Sequence, residues 1–197
     1  DGELAAVICI HDPLRREARD AVAALHACGI GKVVMMTGDN RQTAQAVARE
    51  VGVDAVYAEV LPEDKAAFIR SEKAAGHTVI MVGDGVNDSP ALSEADAGVA
   101  ISTGAAIARE IADITIASED LFELVTLRRL SQALMARIHR NYRFIVGFNL
   151  SLILLGVAGL LPPTTSALLH NMSTLGISLK SMTDLGPELP SPTPAER

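Results

Sequence analysis

The stretch Val79-Ile80-Met81-Val82-Gly83-Asp84-Gly85-Val86-Asn87-Asp88-Ser89-Pro90-Ala91-Leu92 decides the fold. Four apolar residues run directly into Gly-Asp-Gly. A short apolar run that stops at glycine reads as a buried parallel strand ending in a loop. Asp84 then stands at the carboxyl end of that strand, the edge at which open α/β sheets bind their ligands. Gly83 and Gly85 admit backbone angles that a side chain forbids, and Pro90 opens the next helix. Two carboxylates, Asp84 and Asp88, and the amide of Asn87 therefore crowd one strand tip. Carboxylates that close repel each other unless a cation lies between them. A hard, oxygen-rich cluster of this kind suits Mg²⁺. Taken alone, the motif is equally a strand, a tight turn and a capped helix with solvated acids, so its surroundings carry the decision.

Outward from this strand, short apolar runs at 7–10, 33–36, 55–60, 97–101 and 114–117 alternate with helical stretches. One helix is opened by Pro13 and stopped by Gly29 and Gly31, a second covers 42–51 and closes at Gly52, and a third runs from Pro62 to 75 with Lys65 in its first turn. Strands alternating with helices of this length predict an α/β fold, a parallel sheet with helices on both faces. Thr37-Gly38-Asp39-Asn40 follows a strand, so the Thr37 hydroxyl and the next backbone amides can hold phosphate oxygens. Lys65 is the counter-charge for such a phosphate. Asp12 and Asp39 sit at strand ends, where each reads as a site edge or as a helix cap.

The formal net charge of −7 argues against a nucleic-acid partner. The two cysteines, Cys9 and Cys28, lie on separate apolar segments and read as small core residues of a reduced compartment. The first residue is Asp1, no secretory leader pattern is present, and an apolar run begins almost at once. The expectation is a portion of something longer.

From 119 the character changes. Residues 119–143 form an amphipathic helical pattern whose end is basic, with Arg137, His139, Arg140 and Arg143. Residues 144–161 hold no charge over eighteen positions, about the minimum for a membrane span. Pro162-Pro163 breaks the run, a second uncharged run covers 166–179, and Lys180 closes it. The pattern predicts a two-helix transmembrane hairpin with both ends cytoplasmic. The expected organisation is an α/β domain over 1–118, a stalk helix over 119–143, two membrane helices within 144–182 and a disordered cytoplasmic tail over 183–197. Polar residues inside a span mark an ion pathway, which singles out Asn149, His170, Asn171, Ser173 and Thr174 as ligands for a transported ion. Ser151 reads instead as an interhelical hydrogen-bonding residue. Imidazole suits Zn, Cu, Ni or Co.

Thr37-Gly38-Asp39-Asn40, Leu61-Pro62-Glu63-Asp64-Lys65 and residues 83–92 together resemble the phosphorylation-domain motifs of P-type ATPases, whose fold is of the haloacid-dehalogenase type. The two-span end is similar to the heavy-metal-transporting branch, and the resemblance covers residues 1 to about 185. It implies a plasma-membrane exporter of a transition-metal cation, driven by ATP through an aspartyl phosphate. Asp84 would bind the catalytic Mg²⁺, with Asp88 and Asn87 supporting the phosphoryl site. Thr37, Gly38 and Lys65 would bind and neutralise the phosphate, and Asp12 and Asp39 would shape the edge, making Asp12, Thr37 and Lys65 the cofactor-side residues. The partners implied are the metal cation, the lipid bilayer, and upstream nucleotide-binding, actuator and transmembrane regions of the same protein. The family's Asp-Lys-Thr-Gly-Thr motif, which carries the phosphorylated aspartate, is absent, so the chain by itself is expected to be inactive. The histidine in the last run resembles the Co/Zn-type branch more than the copper branch, but Asn171 stands where that branch has an acid. The metal stays open among Zn, Cd, Co, Ni, Cu and Mn. The rival readings are a soluble phosphatase of the same fold and a non-catalytic membrane-anchored module.

Overall fold

Local capping chemistry sets several element boundaries. The Asn40 side chain accepts the Thr43 amide at 3.0 Å and so caps α2 (Arg41–Val51), and Gly52, at φ +80°, closes that helix in the left-handed conformation glycine tolerates. Pro62 occupies the first position of α3 (Pro62–Ala74), where its missing N–H costs nothing. The computed structural model describes residues 14–83, 86–101, 110–118 and 120–185. The expected strand at 7–10, Asp12, Asp84, the segment 102–109 and the tail from 186 lie outside the described residues. Two compact units are distinguished, one ending at Val125 and the other beginning at Thr126.

The first unit contains, in order, α1 (Ala18–Ala27), β1 (Val34–Met36), α2, β2 (Ala55–Tyr57), α3, β3 (Ile80–Gly83), a 3₁₀ turn (Val86–Asp88), α4 (Ser89–Glu94), β4 (Ala97–Ile101) and β5 (Ile114–Ile116). Every strand pair is parallel. β1 pairs with β2, Val34 opposite Ala55, and β4 lies between β3 and β5, with Ile80 opposite Ala97 and Val99 opposite Ile114. The central position of β4 explains the burial of Val99, Ala100 and Ile101. β3 was expected to be fully buried and is not: Ile80 and Val82 are 47% and 39% exposed, because among the described residues β3 has a single neighbour strand. The buried positions on α2 and α3 include the alanines Ala44, Ala48 and Ala66, and Ile69 on α3 and Leu92 on α4 are among the largest fully buried side chains. At Gly98 a Cβ would lie 2.7 Å from the Leu92 carbonyl oxygen, so only glycine lets α4 rest this close to β4.

Aspartates clasp the amino ends of the strands. Asp54 Oδ2 accepts the Val33 amide at 2.6 Å, Asp96 Oδ2 accepts the Val79 amide at 2.8 Å, and Asp113 Oδ2 accepts the Gly98 amide at 2.8 Å. Each carboxylate satisfies an N–H of the neighbouring strand that the parallel ladder leaves unpaired at that edge.

α5 (Phe122–Val157) begins in the first unit, where Phe122 and Val125 pack on Ala24, Leu25 and Cys28 of the α1 region. α5 runs unbroken through 143/144, where the stalk is expected to give way to the first span. The eighteen-residue uncharged run does not form one helix. Gly159, at φ +73°, ends α5, with the Leu160 amide reaching back to the Leu155 carbonyl at 3.0 Å and the Gly159 amide to Gly156 at 3.0 Å. That leaves 14 uncharged residues inside the helix, a length of about 21 Å against a hydrocarbon core of roughly 30 Å. α6 (Pro163–Ser181) is longer but carries His170, Asn171, Ser173, Thr174 and Lys180. Among the described residues no helix is long and apolar enough to cross a membrane. Within the second unit α5 and α6 run antiparallel. Arg137, 5% exposed, donates to the Thr183 and Asp184 carbonyls at 2.6 and 2.8 Å, and Asn141 Nδ2 donates to Ser181 Oγ at 3.0 Å.

Candidate functional site

Beyond β3, the 3₁₀ turn and α4 place Asp88 over the tip of the strand. A Cβ on Gly83 would lie 2.7 Å from Asp88 Cβ and 2.8 Å from Asp88 Oδ2. The glycine therefore makes the cradle that holds this carboxylate. From the neighbouring helix, Lys65 Nζ donates to Asp88 Oδ1 at 2.7 Å, and both side chains are largely covered. The Asp88 carboxylate thus meets the ammonium on one oxygen and faces the space over Gly83 with the other. Ser89 Oγ, next in sequence, is buried with no hydrogen-bond partner among the described residues, and Asn87 is exposed at the same turn.

Thr37 and Asp39 form a second polar corner after β1. Thr37 Oγ1 donates to Asp39 Oδ2 at 2.8 Å and accepts the Asp39 amide at 3.1 Å. Asn40 is spent on capping α2. The corner is joined to the segment after β2: the Thr37 amide donates to the Tyr57 carbonyl, the Glu59 amide to the Asp39 carbonyl and the Val60 amide to the Thr37 carbonyl, at 3.0, 2.9 and 3.0 Å. Leu61 then precedes α3, with its amide bonded to Asp64 Oδ2 at 3.1 Å, and Lys65 follows in the first turn.

Asp88 keeps one carboxylate oxygen off the Lys65 ammonium, Asn87 and Ser89 are its neighbours in sequence, and hard oxygen donors of these kinds are what Mg²⁺ takes. Among the described residues no three His, Cys, Asp or Glu side chains gather into a metal site, and Asp84 lies outside them. Away from this corner, the Val79 amide on its carboxylate, helped by Lys73, holds Asp96 below the ordinary aspartate value of 3.8.

In the second unit His170 Nδ1 lies 2.8 Å from Asn149 Oδ1, so these two expected ligands meet. With Nδ1–H donating to the amide oxygen, Nε2 carries the free lone pair. Ser173 and Thr174 both donate to the His170 carbonyl, at 2.8 and 3.0 Å, so their protons serve α6 itself. Asn171 is exposed and is not brought to the His170–Asn149 pair by any described contact.

Haloacid dehalogenase-like hydrolases match residues 1–96. The chain is 45% identical over 169 residues to Copper-transporting ATPase 2 of Rhizobium meliloti (strain 1021), covering 86% of this chain and 20% of that protein. It is 41% identical over 182 residues to the manganese-exporting P-type ATPase of Mycobacterium bovis, covering 92% of this chain and 25% of that protein. A crystal structure of a zinc-transporting PIB-type ATPase in the E2.Pi state superposes with a TM-score of 0.80 at 32% identity, over 87% of this chain and 28% of that one. The chain is a homologue of heavy-metal P-type ATPases.

This P-type ATPase homologue spans a fifth to a quarter of the length of those two relatives. Three features of its candidate site were not read from the sequence. The closure of Asp88 over Gly83 joins residues five apart whose approach depends on the intervening turn, and a glycine before an aspartate was its only signal. The unpartnered Ser89 hydroxyl gave no signal at all. The Asp39–Glu59 and Thr37–Val60 bonds depend on the register of β1 against β2, which periodicity does not report.

Proposed function

We propose that the chain is the carboxyl-terminal part of an ATP-driven exporter of a transition-metal cation that passes through an aspartyl phosphate. The observation that carries this reading is the Lys65–Asp88 pair, seated against Gly83 at the tip of β3. Phosphoryl transfer is mainly positioning and charge neutralisation. Lys65 would neutralise the transferring phosphate, the Thr37 hydroxyl and the Gly38 and Asp39 amides would orient its oxygens, and Asp39 and Asp12 would shape the rim. Asp84 and Asp88 would hold Mg²⁺, with Asn87 beside them. The bound ion would supply positive charge to the phosphoryl oxygens. The phosphorylated aspartate and the ATP-binding region would come from elsewhere in a longer protein, so this chain alone should be inactive.

The second unit is proposed as part of the membrane-embedded ion pathway. Leu150, Ile153, Leu154 and Val157 of α5 and Met172, Leu175 and Leu179 of α6 are all more than half exposed. An apolar surface of that extent needs a cover, and lipid together with further helices of the longer protein would supply it. Arg140, Arg143 and Lys180 would mark the cytoplasmic boundary. His170 Nε2, Asn149 and Asn171 are the proposed cation ligands, with the Ser173 and Thr174 oxygens nearby. The relatives named above support a transition metal without selecting one.

The test is labelling of the longer protein with γ-phosphate-labelled ATP. Asp84→Ala should abolish the phosphoenzyme, since a lost metal carboxylate leaves the phosphate charge uncompensated. Normal labelling of that variant overturns the assignment.

A further inference from the structure

We infer that Glu59 is a positioning residue for the phosphoryl site, its left-handed backbone clamping the Thr37–Asp39 corner to the start of α3. Glu59 has φ +57°, and among the described residues it is the one non-glycine with a positive φ. An L side chain resists this conformation because its Cβ crowds the following carbonyl oxygen. Such a residue persists where the surroundings over-determine the backbone, and these places cluster at functional sites.

Here the surroundings are two hydrogen bonds. The β1–β2 ladder has its last pair at Met36 and Tyr57. Past it the chain after β2 must turn away to enter α3, which would separate it from the corner after β1. The left-handed residue instead aims two successive amides at the same corner, Glu59 N–H at the Asp39 carbonyl and Val60 N–H at the Thr37 carbonyl. Leu61 follows at once as the residue before α3, and its carbonyl accepts the Lys65 amide at 3.2 Å. The turn at Glu59 thus fixes the Thr37 hydroxyl and the helix bearing Lys65 in one frame, although they lie on different elements. The backbone does the positioning, and the carboxylate is not required. This rests on the phosphoryl-site reading above, in which Thr37 and Lys65 hold the same phosphate.

The experiment compares Glu59→Asn, Glu59→Gln, Glu59→Ala and Glu59→Val in the longer protein that carries this chain. Orthovanadate inhibition of metal-stimulated ATPase activity reads oxyanion affinity, and circular dichroism reads folding. Asparagine tolerates the left-handed region and a β-branched residue does not. Asn, Gln and Ala should keep the parent's vanadate affinity, and the β-branched Val should weaken it about tenfold or more, as small misplacements at a phosphoryl site do. KM for ATP should stay constant across the series, which a general loss of structure would not leave intact. If Val folds poorly, the equally β-branched Glu59→Thr carries the test. Parent-like affinity in the β-branched variant overturns the clamp, as does a Gln or Ala variant as weak as Val, which would give the role to the carboxylate. A parent protein without vanadate-sensitive activity overturns the phosphoryl-site reading itself, and the clamp falls with it.

Discussion

Lys65 Nζ lies 2.7 Å from Asp88 Oδ1, and the two side chains are only 16% and 12% exposed. A lysine read as the phosphate's counter-charge and an aspartate read as a Mg²⁺ ligand are therefore each other's partner. Each neutralises the other in the absence of both ligands, which keeps an otherwise isolated charge from being buried at the strand tip.

Removing both members should cost less than the sum of removing each one. Lys65→Ala should destabilise the chain by about 3 kcal/mol in urea denaturation, the usual scale for orphaning one member of a covered pair. Lys65→Ala combined with Asp88→Ala should lose less than the sum of the single losses by about 1 kcal/mol or more. Additive losses would show that the pair contributes no coupling.

Gly83→Ala should displace Asp88. The added methyl would meet the Asp88 side chain at 2.7–3.0 Å, closer than van der Waals contact permits, so the carboxylate must leave its cradle. We expect a loss of about 1–3 kcal/mol from overpacking and a phosphoenzyme level well below that of the parent in the longer protein. Parent-like labelling would show that the cradle is not needed to hold Asp88 for the reaction.

Acid should weaken the first unit through Asp96. Its carboxyl is held below 3.8 chiefly by the Val79 amide, with Lys73 adding to the effect. A carboxyl with a lowered folded-state value contributes stability that is fully present above the ordinary value and is lost as pH falls through the lowered one. The denaturation midpoint should therefore be level between pH 7 and about pH 5 with respect to this group and decline below about pH 4. Asp96→Asn should be less stable at neutral pH and decline less on acidification. An Asp96→Asn curve parallel to the parent's would remove Asp96 from the account.

His170→Ala should lower metal-stimulated ATPase activity of the longer protein while phosphorylation from inorganic phosphate survives, because that reaction needs no transported metal. Asn149→Ala should act in the same direction and less strongly, since it removes the group that orients the ring. Unchanged metal affinity and turnover in His170→Ala would make the His170–Asn149 bond a packing contact between α5 and α6.

Signals confined to a few residues were legible in the sequence. Asn40 and Gly52 bounded α2 to within one residue of the expected 42–51, Pro62 fixed the start of α3, and the apolar run 97–101 is β4. Signals that depend on distant partners were not. The clasps of Asp54, Asp96 and Asp113 join residues 21, 17 and 15 positions apart, and Arg137 reaches carbonyls 46 and 47 positions away. An aspartate before an apolar run looks like a solvated loop residue until the neighbouring strand is in place. The end of α5 was misjudged for a different reason. Lack of charge over 144–161 reports compatibility with apolar surroundings, whereas the helix stops where Gly159 takes a left-handed turn. Among the expected site residues, proximity in space was legible for Lys65 only through the motif resemblance, since its bond to Asp88 spans 23 positions.

The most direct measurement is the metal dependence of phosphoenzyme formation in the longer protein, with γ-phosphate-labelled ATP, for the parent and for Lys65→Ala. Labelling that appears only when a transition-metal ion is added, that is released by hydroxylamine as an acyl phosphate should be, and that falls sharply in Lys65→Ala is the predicted result. Phosphate release with no labelled intermediate, or labelling indifferent both to the metal and to Lys65, would contradict the account and leave a simple phosphatase of the same fold in its place.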